Sequence, residues 1–100
     1  MPKHTDLHSY NFLKKLYGLP FVDAIYLYGS RARGDARDSS DIDLAIMCPR
    51  ASGEEWLKIV DMIDDADTLI KIDCLRFDTL QDERLKKEIE RDKVVLYERS

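Results

Sequence analysis

The chain has 100 residues, of which 44% are hydrophobic and 36% are charged, with only four glycines and three prolines. This composition predicts one globular domain over residues 1–100 and excludes disordered and fibrous proteins. The formal net charge of −4 argues against a general nucleic-acid-coating protein, so we expect no direct nucleic-acid binding.

The sequence carries no pattern typical of membrane insertion or secretion. No apolar run approaches the ~18 residues of a membrane-spanning helix. The first residues, MPKHTDLHSYN, lack the apolar stretch of a signal peptide. We therefore expect a cytoplasmic protein with no membrane contact. Cys48 and Cys74 lie in apolar runs without metal-site spacing, and we expect both to be reduced core thiols.

The first half of the chain predicts one helix and two strands. An apolar stripe at helical spacing predicts a helix over residues 6–17, with Gly18 as its stop. The runs VDAIYLY (22–28) and IDLAIMC (42–48) are rich in β-branched and aromatic residues and predict strands. The segment between them is polar and rich in arginine and aspartate.

A capping box opens the second half. Ser52 is followed three residues later by Glu55, which predicts a helix over residues 53–66. The run LIKIDCLRF, residues 69–77, predicts a third strand.

The last quarter predicts a final helix over residues 80–91, with Asp78 or Thr79 as its N-cap. The run VVLYE that follows predicts a short strand or a docking tail. The alternation of helices and strands along the chain predicts an α/β layered domain.

Two carboxylates lead the second strand. Asp41, Asp43 and Ala45 share one face because side chains alternate along a strand, while the other face is aliphatic. The aliphatic face should pack on helices, so the aspartate face should look into a cleft or solvent. Residues two apart on a strand are separated by ~6.6 Å, and their carboxylates can converge on one ion. Because magnesium binds carboxylate, phosphate and water oxygens, the pair predicts a metal–nucleotide site.

A third carboxylate, Asp73, lies inside the predicted third strand. An aspartate in LIKIDCLRF is costly unless it is paired or metal-bound. If the two strands are neighbours, Asp73 can join Asp41 and Asp43. Three carboxylates at one site would hold two divalent ions, or hold one ion and supply a general base.

Gly29 and Ser30 end the first strand and open a short turn or helix. A glycine lets the backbone approach a phosphate closely, and N–H groups at such a turn favour an anion. The Ser30 hydroxyl adds a donor. Arg31, Arg33 and Arg37 are spaced so that at least one could reach a polyphosphate.

Other motifs do not fit this stretch. The Gly-Lys-Ser/Thr ending of a Walker A loop is missing, and the run from Asp35 lacks the sixth-position glycine of an EF-hand. Arg33-Gly34-Asp35 spells an integrin-type tripeptide, but nothing in the sequence indicates secretion. A purely structural alternative is an acidic hairpin edge with an aspartate that caps a turn. That alternative does not account for Gly29-Ser30 together with Asp73.

These residues resemble a known family. Gly29-Ser30, ten intervening residues and then Asp41-Ile42-Asp43 are similar to the G-S-x10-D-x-D signature of the nucleotidyltransferase superfamily. The similarity covers roughly residues 8–98 and, with the short length, is greatest to the minimal nucleotidyltransferases.

The resemblance implies a polymerase-beta-like core, in which a mixed β-sheet is backed by helices. It implies that Asp41 and Asp43 bind magnesium, with two ions expected, and that Asp73 helps hold the catalytic ion and activates the acceptor hydroxyl. Gly29 and Ser30 would grip the terminal phosphates of ATP. From its spacing we also expect Arg33 to contact a phosphate, although the family motif does not require it. The implied reaction transfers AMP from ATP to a hydroxyl and releases pyrophosphate.

Minimal family members commonly act as antitoxins beside a helical HEPN toxin, and in such pairs they adenylylate a tyrosine of the toxin. This chain lacks the Arg-x4-6-His motif of a HEPN protein, since its only histidines, His4 and His8, have no arginine before them. The resemblance therefore implies the antitoxin half of the pair. A homo- or hetero-oligomer is an open expectation.

Two alternatives remain open from the sequence. One is a nucleotidyltransferase for a small molecule such as an aminoglycoside, although the chain is short for an acceptor-binding second domain. The other is a binding module that neutralises its partner by contact alone, without catalysis.

Overall fold

The structure of the protein, a computed structural model, describes residues 10–35 and 40–99. Helices and strands alternate along these residues. In chain order they are α1 (Asn11–Tyr17), β1 (Ala24–Tyr28), α2 (Ser30–Arg33), β2 (Ile42–Met47), α3 (Gly53–Asp64), β3 (Ile72–Arg76), a 3-10 turn (Phe77–Thr79), α4 (Glu83–Asp92) and β4 (Val94–Glu98).

The strands form one mixed sheet in the order β3-β2-β1-β4. β1 pairs antiparallel with β2 and with β4, whereas β2 and β3 are parallel. A parallel pair needs a crossover, and α3 supplies it. The mixed sheet with helices confirms the predicted α/β class. β2 and β3 are neighbours, which was the condition for Asp73 to lie near Asp41 and Asp43.

The larger core lies on the aliphatic face of the sheet. Ile42, Leu44 and Ile46 of β2 are fully buried there. They pack in one cluster with buried residues of α1 and α3, namely Leu13, Leu16, Ile59 and Ile63. This face carries the apolar stripes of both helices, as predicted.

A second, smaller core covers part of the opposite face. Ala45 is fully buried and clusters with Tyr26, Phe77 and Ile89, the last of these from α4. The expectation that the whole aspartate face of β2 looks into a cleft or solvent is therefore wrong at Ala45. The same face of β2 stays uncovered around Asp43, because the apolar side chains of α4 and the 3-10 turn cover only the half of the strand near Ala45.

The helix ends follow local chemistry. Ser52 and Glu55 make both hydrogen bonds of the predicted capping box. The last helix begins later than predicted, with Asp82 as its N-cap accepting from the Leu85 N–H. Asp78 cannot serve as that cap, because its carboxylate accepts hydrogen bonds from the Cys48 N–H and the Arg76 guanidinium. The predicted start of α1, residues 6–9, lies outside the described residues.

Both cysteines are free thiols, with Cys48 buried and Cys74 half-buried. Of the helices in residues 10–35 and 40–99, none is both long enough and apolar enough to cross a bilayer. The run VVLYE is a paired strand, β4, rather than a tail.

Candidate functional site

Three side chains form a row across the sheet where β1 ends and β2 and β3 begin. Asp43 of β2 is the register partner of Tyr28 on β1 and of Asp73 on β3. Register partners on neighbouring strands present their side chains to the same face of a sheet. The fold thus brings Asp43 and Asp73 together, as the sequence predicted, although they are far apart in the chain.

Gly29 lies directly against the Asp43 carboxylate. A Cβ atom added to Gly29 would stand only 2.5 Å from Asp43 Oδ2. The residue also has φ +76° and ψ −155°, a conformation that is essentially confined to glycine. Both facts explain why the chain has glycine here, and both place the turn into α2 beside the carboxylates.

The turn after Gly29 continues as the single helical turn α2, which begins at Ser30. The Gly29 carbonyl accepts from the N–H groups of Ala32 and Arg33. The predicted short helix after the first strand is therefore present, and its opening residues lie next to the Asp43 carboxylate.

Asp43 is half-buried among other acids. Burial raises its pKa above the ordinary range, and the neighbouring carboxylates of Asp73 and Asp41 raise it further. The guanidinium groups of Arg31 and Arg33 oppose these effects. The three predicted aspartates therefore share one electrostatic environment in which negative charge is incompletely compensated.

Tyr28 is a member of the row that the sequence did not identify. Its pKa rises to about 12, first because of burial and then because of the negative charges of Asp43 and Asp73. The phenol is therefore a neutral hydroxyl at physiological pH. Strand alternation places Tyr28 on the same face as Tyr26, but only the register with β2 reveals that this face carries Asp43.

The Asp73 side chain is more exposed than the apolar residues around it in the sequence suggest. It is 48% exposed, and its Oδ1 lies 3.7 Å from Lys71 Nζ. The position on an edge strand explains this exposure, because no further strand covers β3 on its outer side in the described sheet. An exposed pair of this kind contributes little stability.

Arg31 has a structural position that the sequence did not indicate. It is only 6% exposed, and its guanidinium donates to the carbonyl oxygens of Ser40 and Asp41. Of the three arginines named as candidates to reach a polyphosphate, Arg31 is thus already bound to backbone carbonyls. It ties the start of β2, and with it Asp41, to the helical turn after Gly29.

Arg33 points its guanidinium toward acids on two sides. Its Nε lies 3.4 Å from Asp35 Oδ2, and its Nη1 lies 3.9 Å from Asp92 Oδ2 on α4. Both contacts are long, and the Arg33 side chain is 47% exposed. Arg37 lies outside the described residues.

The donor chemistry of this region suits a hard divalent cation, since Asp41, Asp43 and Asp73 offer only carboxylate oxygens. Among the residues that the structure describes, however, no group of three or more acidic, histidine or cysteine side chains is drawn together closely enough to hold a metal ion. Asp41 and Asp73 are surface-accessible, so their side chains can turn toward a shared ion without disturbing the core.

Sequence comparison gives one family. Residues 11–100 match the family described as polymerase beta, nucleotidyltransferase. No curated protein sequence matches the chain significantly.

Several solved structures share the fold. A toxin–antitoxin with AMP-PNP superposes with a TM-score of 0.61 at 22% identity, covering 88% of this chain and 72% of that one. A putative nucleotidyltransferase from Sulfolobus solfataricus gives 0.56 at 22% identity, over 88% and 75% of the two chains. A mutant of the toxin–antitoxin MntA-HpeT gives 0.58 at 19% identity, over 88% and 71%.

Proposed function

We propose a magnesium-dependent adenylyl transfer to a partner protein, from the premise that the chain belongs to the polymerase beta nucleotidyltransferase family. The product would be a partner HEPN-type toxin that carries AMP on a hydroxyl side chain, so that this protein acts as an antitoxin. Two proteins of the same fold come from toxin–antitoxin complexes, one of them with AMP-PNP, which supports a toxin partner and a nucleotide substrate.

The observation that carries the proposal is the contact between Gly29 and Asp43. A glycine in a backbone conformation that other residues avoid lies against a carboxylate that neighbours two more acids. Unusual backbone conformations and unneutralised charge of this kind collect at functional sites. A triphosphate with its cations would neutralise the acids and occupy the space beside the glycine.

The residues divide into roles by position. Asp41 and Asp43 would hold the magnesium ions, and a bound ion would supply positive charge to the triphosphate. The backbone of Gly29 and Ser30 would bind the terminal phosphates, and Arg33 would exchange its long, exposed contacts for a phosphate oxygen.

Asp73 would orient the acceptor. It lies on a different strand from Asp41 and Asp43, at the open edge of the sheet, where a second protein can approach. The acceptor hydroxyl would attack the α-phosphorus, forming one O–P bond while the bond to the β-phosphate oxygen breaks and pyrophosphate leaves. The hydroxyl proton would pass to the Asp73 carboxylate. Positioning and charge stabilisation supply most of the rate in this chemistry.

Co-expression with the product of the neighbouring reading frame tests the proposal. Mass spectrometry of that partner should show added AMP with the wild-type chain, and none with Asp41→Ala. An unmodified partner beside wild-type protein that adenylylates a free small molecule would favour the small-molecule alternative and contradict the proposal.

One observation favours a second candidate, an antitoxin that acts by contact alone. In residues 10–35 and 40–99 the acids do not converge on a metal position. The two candidates differ in one result. A partner that is silenced by the Asp41→Ala protein as completely as by the wild type, while remaining unmodified in both cases, requires the contact mechanism.

A further inference from the structure

A groove with an apolar floor lies where α3 ends and β3 begins. Its volume is about 340 Å³. Side chains from both elements and from the loop between them form its walls, chiefly Ile63, Ala66, Ile70 and Ile72, with Asp64 and Lys71 at its margin.

Leu69 stands beside this groove with its side chain fully exposed, at 106%. Its two neighbours in the loop, Thr68 and Ile70, both line the groove. An exposed leucine side chain gains none of the stabilisation that burial of its apolar surface would give. An exposed leucine next to an apolar groove is therefore suited to contact another molecule.

Acidic residues are concentrated at the end of α3, and one of them, Asp64, lines the groove. Asp61, Asp64, Asp65 and Asp67 lie on the last turns of α3 and just after it, and all four are exposed. The C-terminal end of a helix carries a partial negative charge, so acids there are unfavourable, and the last turn of α3 contains no basic residue. Asp67 has a local partner within the described part of the chain, because its Oδ2 accepts from the Asn11 N–H at 3.4 Å.

A second, smaller depression continues this surface between α1 and α3. It has a volume of about 180 Å³ and is bordered by Asp65 and Asp67 as well as by Phe12 and Met62. The described cations that border the two depressions are Lys15 and Lys71, and Lys71 is engaged by Asp73. The acids that border the two depressions, Asp64, Asp65 and Asp67, outnumber the two lysines, so the surface carries a net negative charge.

The groove adjoins the candidate active site. Lys71 and Ile72 line the groove, and Asp73 is the next residue along β3. The Lys71 carbonyl accepts from the Ile42 N–H, so the groove and Asp41 flank the same ends of β2 and β3. A molecule in the groove would therefore lie beside the edge at which the acceptor must arrive.

We propose that this groove, with Leu69 and the acids Asp61, Asp64 and Asp65, is the docking surface for the protein substrate. Its occupant is a basic amphipathic segment of the partner, whose apolar side chains enter the groove while lysines or arginines meet the carboxylates. Charge complementarity selects this occupant, since an acidic or uniformly apolar segment would leave the carboxylates of Asp61, Asp64 and Asp65 uncompensated. The inference rests on the proposed transfer of AMP to a partner protein.

The test measures the affinity of the purified chain for the product of the neighbouring reading frame by titration calorimetry. The acidic variant is Asp64→Lys with Asp65→Lys. Its matched control is Glu88→Lys with Glu90→Lys, the same change near the C-terminal end of α4 on the opposite face of the sheet. The apolar variant is Leu69→Ser, with Val95→Thr on the far edge strand as control.

We expect the acidic and apolar variants to weaken the complex at least about tenfold, and the controls to leave it unchanged. Raising the salt concentration from about 0.1 M to about 1 M, which shortens the screening length from ~10 Å to ~3 Å, should weaken the wild-type complex more than the acidic variant. The thermal unfolding temperature of each variant distinguishes a loss of binding from a loss of folding. The acidic variant should unfold at a higher temperature than the wild type, because lysine suits the end of α3.

Unchanged affinity in both the acidic and the apolar variants would overturn the docking surface, as would the absence of any complex. A fall in unfolding temperature for Leu69→Ser would also overturn it, since Leu69 would then be held by its own chain. Transfer of AMP is scored separately. A wild-type complex that forms through this surface without AMP transfer would contradict the proposed reaction and leave the docking surface supported.

Discussion

The two ends of the sheet use the same residue types in opposite ways. At the end where β1 begins and β2, β3 and β4 finish, aspartates are matched with arginines. Arg76 donates to Asp78 and to the carbonyls of Cys48 and Ala51. At the other end, which we call the carboxylate end, Asp43 lies near Asp73 and Asp41. There the Arg31 guanidinium donates to a backbone carbonyl, and Arg31 and Arg33 offset the negative charge around Asp43 only in part.

A further pair at the matched end makes the contrast plain. Asp23 accepts from Arg50 at 2.6 Å, and both Arg50 and Arg99 also donate to the Pro20 carbonyl. The aspartates at this end are therefore paired with arginines of the same chain. At the carboxylate end the negative charge is only partly offset, which suits the proposed site for a metal–nucleotide complex.

The largest effect on stability is expected at the matched end. Asp78→Ala would remove the acceptor for the Cys48 N–H and leave the largely buried Arg76 guanidinium without its counter-charge. We expect a loss of about 3 kcal/mol in the free energy of unfolding, measured by urea denaturation. The corresponding change at the carboxylate end, Asp73→Ala, should cost less than about 1 kcal/mol, since its pair with Lys71 is exposed. Equal losses in the two variants would remove the distinction between the ends.

Gly29→Ala should give the next largest effect. The new methyl group meets both an unfavourable backbone conformation and the Asp43 carboxylate, so we expect a loss of about 1–3 kcal/mol. Gly34→Ala is the matched control. Gly34 also has a positive φ, +83°, but nothing lies within 4 Å of the added atom. If the two variants lose the same stability in urea denaturation, the contact with Asp43 contributes nothing.

The smallest effect concerns the charge of Asp43 in metal-free protein. Its pKa is raised on folding, so the ionised form destabilises the fold and that penalty disappears as pH falls through the raised pKa. Asp43→Asn should therefore stabilise the protein near neutral pH, by less than about 1 kcal/mol because the site is partly solvated. The gain should shrink on acidification. Thermal unfolding in EDTA across the acid-to-neutral range measures it, and a gain that grows as pH falls would contradict the assignment.

Much of the fold could be predicted because its signals are local. The capping box of α3, the strand runs and the stop at Gly18 depend on neighbouring residues. The N-cap of the last helix was misplaced because Asp78 is a good local cap, yet it makes its hydrogen bonds to Cys48 and Arg76. A long-range contact of this kind overrides local preference and leaves no trace in the spacing of the sequence.

The residues of the candidate site also divide into those that local spacing identifies and those that depend on long-range contacts. Spacing along the chain pointed to Gly29, Asp41 and Asp43, and strand alternation pointed to Asp73. The position of Tyr28 in the row depends on the register of β1 against β2, which alternation alone does not determine. Spacing alone did not distinguish Arg31 from the other arginines of the polar loop, because its hydrogen bonds to the carbonyls of Ser40 and Asp41 form only on folding.

The central claim is that the carboxylate end binds nucleotide through a divalent cation. Titration calorimetry of ATP into the protein, with magnesium and with EDTA, tests it most directly, using Asp43→Asn beside the surface control Glu88→Gln. The account predicts that wild type and Glu88→Gln bind ATP at least about tenfold more tightly with magnesium, and that Asp43→Asn loses this difference while remaining folded. If Asp43→Asn binds magnesium-ATP as tightly as the wild type, the carboxylate end is not the nucleotide site.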